Sequence, residues 1–321
     1  MLGALIIRDQ AGAVEDQQHP ARPGSSARPW ATVEILGKTV IARLVEEFRR
    51  NGCDLISLIA GEIADDNPAP SSRAESVDLA SECLAGFRRK GCENLAIVRC
   101  GAYVEIDLPE MLGFHQEQGI GVTRAVAESG PLDVWIVDAS WPAEHASLLS
   151  ALACATPALY PSRGYVNDLQ TPRDFRRLAL DGLYSHCHLS PQGSEIRPGF
   201  WVCEGAQIER TARVVAPAFI GRNVLISGEC LITRGSNVES DSHVDFGTAV
   251  EDSSILSNSY VGIGLDLTHS IVDGINLLNL RHNVSLVISD PVVLRKNAVR
   301  RRTRQVWSDI ESGEMVLTSA E

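Results

Sequence analysis

Two parts of the sequence carry side chains whose types and spacing suggest metal chemistry. His186, Cys187 and His188 are adjacent, and imidazole and thiolate are common ligands of zinc. Adjacent residues on one loop seldom converge on a single ion without a distant partner, so we favour linker packing there. Asp168 is a candidate Mg²⁺ ligand, but a lone carboxylate makes a poor magnesium site. A loop or helix-capping carboxylate is the favoured interpretation of Asp168.

Composition limits the classes of function that the chain can have. Its 321 residues include 29 Lys and Arg against 41 Asp and Glu, a formal net charge of −12. So acidic a chain lacks the basic surface that general nucleic-acid binding requires. With 44% hydrophobic and 22% charged residues the chain is globular, and its length predicts about two domains. We expect neither nucleic acid nor a membrane among its partners, because no run approaches the ~18 apolar residues of a membrane span.

Targeting signals and cysteines indicate the compartment. The first apolar run is short, ends at Arg8 and has no basic flank before it, which predicts no secretory signal. The 8 cysteines include no C-x-x-C pair. Scattered cysteines in a long chain are typical of reduced, buried thiols, so we expect a cytoplasmic protein.

A six-residue repeat dominates the second half of the chain. An aliphatic residue returns at Ile196, Val202, Ile208, Val214, Ile220, Ile226, Ile232, Val238, Val244, Val250 and Leu256. A second register of small or β-branched residues runs from Ala206 to Ser254. Neither helix nor strand periodicity fits so long a pattern, which is typical of a triangular parallel β-helix with stacked coils. We predict this β-helix over residues 196–290, with a register slip after Tyr260.

His243 lies within the repeats and suggests a further kind of chemistry. Many hexapeptide-repeat proteins are acyltransferases that use a histidine as general base. No long loop is inserted between Ile196 and Leu256. We therefore favour a solvent-facing His243 at a corner of a coil and keep the acyltransferase as an alternative.

Before the repeats, short apolar strands alternate with helical segments. Strands are predicted at residues 4–7, 55–60, 95–100, 122–126 and 134–138. Helices are predicted at residues 39–50, 74–90, 108–118 and 172–183, the last with Thr171 as N-cap. The alternation indicates an α/β, doubly wound, Rossmann-like domain over residues 1–185. A linker at 186–195 leads into the β-helix, and a polar, basic tail occupies 291–321.

Four stretches resemble motifs of one known family. They are residues 37–41 (Gly-Lys-Thr-Val-Ile), 114–123 (Phe-His before Gly and Val-Thr), 165–175 (Tyr-Val-Asn-Asp-Leu-Gln-Thr-Pro-Arg-Asp-Phe) and 216–221 (Ala-Pro-Ala-Phe-Ile-Gly). In this order they resemble the sugar-1-phosphate nucleotidyltransferases, or NDP-sugar pyrophosphorylases, and especially mannose-1-phosphate guanylyltransferase-like members. The resemblance extends to residue 290. It implies a nucleotidyltransferase-like α/β domain followed by a left-handed β-helix of hexapeptide repeats.

The resemblance also implies a reaction and a set of binding residues. A sugar 1-phosphate attacks the α-phosphate of a nucleoside triphosphate and diphosphate leaves, so catalysis consists mostly of positioning and charge neutralisation. By correspondence with the family motifs, Arg8, Gly12 and Arg28 would bind nucleotide and Asp168 would bind metal.

Several parts of the family pattern are missing from this sequence. Only Gly12 remains of the glycine-rich phosphate loop, among acidic residues. The family's phosphate-binding lysine is replaced by Trp30, and its metal-binding aspartate after the third strand by Ala102. The family's E-K-P stretch is absent as well. Because such groups act together on developing charge, their joint loss predicts an eroded active site without an assignable catalytic residue.

We therefore expect a catalytically inactive homologue with a regulatory or scaffolding role in nucleotide-sugar or polysaccharide biosynthesis. Its expected partners are a second copy of itself, as a homo-oligomer, or an active paralogue. A nucleotide or nucleotide-sugar is a candidate ligand, and no cofactor is expected. The alternatives are an active pyrophosphorylase of the mannose-1-phosphate guanylyltransferase type, which would use Mg²⁺, and a hexapeptide acyltransferase that uses His243.

Overall fold

The computed structural model describes residues 2–9, 30–61, 83–141 and 148–297. Their contacts divide the chain into two compact units. The α/β unit contains residues 2–9, 41–61, 83–141 and 148–166, and the repeat unit contains residues 30–40 and 167–297. The sequence predicts a boundary at residue 185, whereas the helix at 172–183 belongs to the repeat unit, because its buried Arg176 bonds to the repeats.

Five α-helices lie in the described residues. They are α1 (Val40–Arg50), α2 (residues 83–89), α3 (Leu108–Gln118), α4 (Leu148–Cys154) and α5 (Pro172–Leu183), and Trp30–Thr32 forms a short 3₁₀ helix. The predicted bounds of α3 and α5 are confirmed, and so is the N-cap Thr171, whose hydroxyl accepts a hydrogen bond from Asp174 N. No helix in the described part of the chain is long and apolar enough to cross a membrane.

The first ten strands include all those of the α/β unit. They are β1 (Leu2–Asp9), β2 (Glu34–Ile35), β3 (Lys38–Thr39), β4 (Leu55–Gly61), β5 (Asn94–Cys100), β6 (Tyr103–Val104), β7 (Val122–Ala127), β8 (Gly130–Asp138), β9 (Ala158–Pro161) and β10 (Val166–Asn167). Six of them form a sheet in the order β4-β1-β5-β8-β7-β9. Its centre is the apolar strand β5, of which only Arg99 is not buried.

The sheet is mixed, with parallel strands on either side of one reversed strand. β1 pairs in parallel with β4 and β5, and β7 with β9, whereas β8 is antiparallel to both β5 and β7. Only Glu128 and Ser129 separate β7 from β8. So short a turn can join only antiparallel strands, since a parallel pair needs a long crossover. The parallel strands of this sheet and the helices between them confirm the α/β class.

The remaining strands belong to the repeat unit and are short. They are β11 (Ser194–Arg197), β12 (Phe200–Val202), β13 (Gln207–Ile208), β14 (Arg213–Val214), β15 (Ala218–Ile220), β16 (Leu225–Ile226), β17 (Leu231–Thr233), β18 (Asn237–Val238), β19 (His243–Val244), β20 (Ala249–Glu251), β21 (Ser254–Ile255), β22 (Ser259–Val261), β23 (Asp266–Thr268), β24 (Ser270–Asp273), β25 (Asn276–Asn279), β26 (Val284–Val287) and β27 (Leu294–Lys296). From β12 to β21 each strand pairs in parallel with the third strand after it, so the parallel pairing ends at β24. This is the topology of a three-sided parallel β-helix.

The three sides of the β-helix have different surroundings, and we name them accordingly. The covered face is formed by β12, β15, β18, β21 and β24, over which residues 30–40 and α5 pack. The open face is formed by β13, β16, β19 and β22, with β27 added antiparallel to β22. The third face is formed by β14, β17, β20 and β23. β27 lies in the predicted tail, whose residues after 297 are outside the described part.

The aliphatic ladder fills the interior, with one correction to the predicted register. Its fully or nearly fully buried members are Val214, Ile220, Ile226, Ile232, Val238, Val244, Val250, Ile255, Val261, Leu267 and Val272. Ile255, not Leu256, pairs with Val238, so the slip falls before Ile255 and not after Tyr260. Ile196 is not part of the ladder: it is 63% exposed, on the antiparallel strand β11. The interior therefore tolerates one coil that is a residue shorter.

The small residues of the second register also supply hydroxyl groups to the interior of the β-helix. The hydroxyls of Ser236, Ser242 and Thr248 donate to the carbonyls of Val250, Leu256 and Gly262, at 3.1, 2.9 and 2.6 Å. After the slip this position is Ser253, not Ser254 as the sequence predicts. A buried hydroxyl is tolerated only when it is hydrogen-bonded, so these bonds link successive coils at each step.

Candidate functional site

The carboxyl ends of β1 and β5 form the natural ligand edge of the α/β unit. β1 lies between β4 and β5, and Arg8 pairs with both Ala60 and Cys100. In open α/β sheets ligands bind where successive connections leave the central strand in opposite directions, outside the carboxyl ends. The structure thus places the backbone of Arg8 at this edge. Gly12 and Arg28, the other predicted nucleotide-binding residues, lie outside the described residues.

The residues at this edge do not fit the magnesium ion that the family resemblance implies. Mg²⁺ is held through carboxylates, and the chain that leaves β5 continues as Gly101 and Ala102, followed by β6. Asp168, the other predicted metal residue, is exposed and belongs to the repeat unit. No group of three His, Cys, Asp or Glu side chains among the described residues could hold a metal ion.

Asp168 lies in the loop that precedes α5. Its backbone carbonyl accepts a hydrogen bond from Gln170 Nε2 at 3.2 Å. The helix is capped by Thr171, whose backbone N–H and hydroxyl donate to the Asp174 carboxylate at 2.9 and 2.8 Å. Of the two structural interpretations of Asp168, the loop carboxylate therefore fits and the helix cap does not.

Trp30 contacts an aromatic side chain of α5. Its ring centroid lies 4.9 Å from that of Phe175, which is fully buried. Aromatic pairs at this distance stabilise packing. Trp30 thus anchors residues 30–40 within the repeat unit.

A buried histidine joins the two ends of the stretch 114–123 and connects them to Asp138. The His115 imidazole is 2% exposed, with Nδ1 2.8 Å from Thr123 Oγ1 and Nε2 3.2 Å from Asp138 Oδ1. Because a carboxylate can only accept, Nε2 donates to Asp138 and Nδ1 accepts from the Thr123 hydroxyl. The network ties α3 to β7 and β8. Asp138 was missed by sequence reasoning, and its place at the end of a strand was the only available signal.

The adjacent residues 186–188 form no metal site in the structure. The His186 ring stacks on Tyr184 with centroids 5.8 Å apart, and its Nδ1 lies 3.4 Å from Asp181 Oδ1. Cys187 is half-buried, and His188 is exposed. These contacts agree with the favoured interpretation of linker packing.

His243 lies on a strand of the open face and not at a solvent-facing corner, so that prediction is wrong. Its Nε2 is 3.1 Å from Ser227 Oγ, and its ring meets Tyr260 edge-on, with centroids 5.2 Å apart. Burial lowers the pKa of His243, against the opposing effect of Asp245. The Tyr260 hydroxyl donates to Asp245 Oδ2 at 2.7 Å and lowers the pKa of that carboxyl. The strand pairing holds His243 half-buried because Tyr260 follows it on the next coil.

The covered face contains a fully buried carboxylate. Glu239 Oε1 and Oε2 accept hydrogen bonds from the backbone N–H groups of Leu36 and Gly37, at 2.8 and 2.9 Å, and Oε1 also accepts from Asn237 Nδ2 at 2.7 Å. Leu36 and Gly37 form the two-residue turn between β2 and β3, both with positive φ. This turn directs both N–H groups towards the β-helix. Burial, with the nearby Glu34 carboxylate, raises the pKa of Glu239 to about 7.

A buried guanidinium lies beside this carboxylate on the same face. Arg176 on α5 donates to Asp252 Oδ1 at 2.9 Å, to Asn237 Oδ1 at 3.0 Å and to the carbonyl of Gly235 at 2.8 Å. Burial lowers the pKa of Arg176, and Asp252 opposes this shift. Asn237 therefore connects the arginine and glutamate networks, and both hold covering segments on the repeats.

Neither a protein-family model nor a curated protein matches the chain.

Proposed function

We propose that the chain is a non-catalytic homologue of the sugar-1-phosphate nucleotidyltransferases, with a regulatory or scaffolding role in nucleotide-sugar or polysaccharide biosynthesis. It would act by association with a second copy of itself or with an active paralogue. The fold implied is a nucleotidyltransferase-like α/β domain followed by a left-handed β-helix. The parallel strands β4-β1-β5 and the three-sided repeat unit support this proposal.

The proposed absence of catalysis rests mainly on one observation. At the edge where β1 and β5 end side by side, Ala102 stands where the family has a metal-binding aspartate. Without that carboxylate the charge of a triphosphate would not be neutralised by a metal ion, and such groups contribute several orders of magnitude to the rate. Trp30 supports the same conclusion, because it packs on Phe175 where the family has a lysine.

Calorimetric titration tests the proposal. Mg²⁺ complexes of GTP, ATP, UTP and dTTP should each bind no more tightly than about 1 mM, or about 4 kcal/mol. With these nucleotides and a panel of sugar 1-phosphates, no diphosphate should be released. A micromolar dissociation constant with diphosphate release would overturn the proposal in favour of the active pyrophosphorylase. Acetyl-CoA in the same titration tests the acyltransferase alternative.

A matched variant sharpens the test. Ala102→Asp restores one carboxylate after β5 and leaves Trp30 unchanged. We expect the variant to remain inactive, since the missing groups act together. Diphosphate release by Ala102→Asp and not by the parent would mean that Ala102 alone blocks the reaction.

A further inference from the structure

Charges of opposite sign lie at the two ends of the third face. Arg213 on its first strand, β14, and Asp266 on its last strand, β23, are exposed, and neither forms an ion pair with another described residue. Strand pairing places Leu231 and Ala249 between them, so that each of the four strands contributes one side chain to a single outward row. With strands ~4.8 Å apart, the two charges are separated by about 14 Å.

A second outward row lies beside the first, two residues further along each strand. It consists of Val215, Thr233, Glu251 and Thr268. Val215 is 43% exposed, whereas the Glu251 carboxylate lies 3.5 Å from the guanidinium of Arg234 on the preceding coil. The first row therefore holds the two charges that lack a partner within the chain.

We propose that the third face is the interface between two copies of this chain, packed face to face about a two-fold axis that runs parallel to the strands, midway between β17 and β20. Such an axis reverses the order of the strands and sets each row opposite itself. Arg213 of each copy then lies opposite Asp266 of the other, which gives two ion pairs. Leu231 of each copy lies opposite Ala249 of the other, so that a large side chain meets a small one twice.

The other charged side chains of this face also fit the reversed order. Glu251 of each copy lies opposite Thr233 of the other. Because Arg234 directly follows Thr233, it comes to the same coil position as Glu251 of the other copy. Glu229, at the corner two residues before Leu231, lies opposite Gly247, which is two residues before Ala249. No carboxylate is thus set directly opposite another carboxylate.

The charges select this orientation over the other two-fold arrangement. An axis along the β-helix would keep the order of the strands, so Arg213 would share a coil position with Arg213 of the other copy, and Asp266 with Asp266. Like charges brought together at an interface disfavour that arrangement. The reversed arrangement makes the surface self-complementary, as an isologous dimer requires.

Exposed apolar side chains adjoin the same face. Phe246 and Ile263, which are 53% and 61% exposed, lie at the corner between the open face and the third face. Neighbouring large apolar side chains on a surface mark an interaction site. Four short strands form an interface at the small end of the usual size range, so we expect a reversible dimer.

This inference rests on the self-association in the proposed function and specifies the surface that carries it. Sedimentation equilibrium of the full-length chain between ~10 µM and ~1 mM tests it. We expect a dimer for the parent and a dissociation constant at least about tenfold larger for Arg213→Asp, which sets like charges opposite each other twice. The matched control is Arg222→Asp, the same change at an exposed arginine of the corner between the covered and open faces, which should leave the dissociation constant unchanged.

Charge exchange tests the orientation of the two copies. Asp266→Arg should weaken the dimer as Arg213→Asp does, and the double variant should regain the affinity of the parent, because opposite charges meet again. Ala249→Trp changes no charge and should weaken the dimer through its bulk opposite Leu231. Equal weakening by Arg222→Asp and Arg213→Asp, or a double variant that regains no affinity, would overturn the inference.

The outcomes distinguish this surface from the proposed function. A dimer that none of the third-face variants weakens overturns the surface and leaves self-association standing. A parent that stays monomeric over the whole concentration range overturns the surface and self-association together. The nucleotide titration is independent of both, because micromolar binding with diphosphate release would overturn the loss of catalysis whether or not the chain dimerises.

Discussion

The covered face and the open face are built from the same repeat but present different side chains outwards. On the covered face Asn237 and Glu239 are fully buried beneath residues 30–40 and α5. On the open face the equivalent outward positions include the exposed Gln207 and Glu209. Both faces turn aliphatic residues inward at the same spacing. The inward residues therefore build the β-helix, and the outward residues decide what packs on each side.

The difference has an energetic reason. A buried carboxylate or guanidinium is tolerated only with hydrogen-bonding partners, since its transfer from water is costly. The covering segments supply those partners: the turn at Leu36 and Gly37 donates two N–H groups to Glu239, and α5 contributes Arg176 to Asp252. Buried ionic contacts add little net stability. Their effect here is to fix where the covering segments lie along the repeats.

The largest expected effect comes from the interior that all faces share. Ile226 is fully buried on the open face, so Ile226→Asp places a charge among aliphatic side chains without a partner. We expect a loss of roughly 5 kcal/mol in the free energy of unfolding, measured by urea denaturation followed by circular dichroism. The control Gln207→Asp, outward on the neighbouring strand, should cost under about 0.5 kcal/mol. Equal stability of the two variants would contradict the β-helix.

An intermediate effect is expected from the buried guanidinium of the covered face. Arg176→Met keeps an apolar stem but removes the guanidinium that donates to Asp252 Oδ1, Asn237 Oδ1 and the Gly235 carbonyl. Breaking this buried network should cost about 4 kcal/mol. The matched control is Arg50→Met, because Arg50 pairs with Glu47 in solvent, and surface pairs contribute about 1 kcal/mol or less. If the same denaturation experiment gave equal losses for both, Arg176 would not hold α5 on the repeats.

The smallest predicted effect is a pH dependence at Glu239. Its pKa is about 7 in the folded protein against an ordinary 4.5, so between these values the folded chain holds a proton that the unfolded chain has released. Stability should therefore fall as the pH rises from 4.5 to 7 and level off above. The full change is about 3 kcal/mol.

Denaturation from pH 4 to pH 9 measures this dependence as the difference between the parent and Glu239→Gln. That difference should fall across the stated window and be constant outside it. Glu204→Gln, which removes an exposed carboxylate from a corner of the β-helix, is the control. A flat difference for Glu239→Gln would mean that the three N–H donors offset the effect of burial on its pKa.

Much of the fold could be predicted, because its patterns are local. The bounds of α3 and α5 follow from caps and spacing, and the inward ladder from Val214 to Val250 follows from the period of six. Only Leu256 was misplaced in the later ladder, since Ile255 and Leu256 are both apolar and a coil that is one residue shorter leaves no local signal. The turn at Leu36 and Gly37 was also missed, because it interrupts an apolar segment that resembles the start of a helix.

The candidate site was less predictable than the fold. The sequence itself shows that Ala102 follows β5, and the proposed family resemblance places Trp30 where the family has a lysine, since both depend only on residue type in a recognisable order. It could not show that Asp138 meets His115, that Glu239 accepts hydrogen bonds from residues more than 200 positions away, or that His243 is half-buried.

The sequence alone determined the repeat and the strand–helix alternation, because periodicity is a property of neighbours in the chain. The tertiary structure decided the rest. Segments distant in sequence decide which face is covered, which carboxylate is buried and which apolar side chains stay exposed. Burial is a property of the folded chain. It decides both the raised pKa of Glu239 and the exposure of the Phe246 side chain.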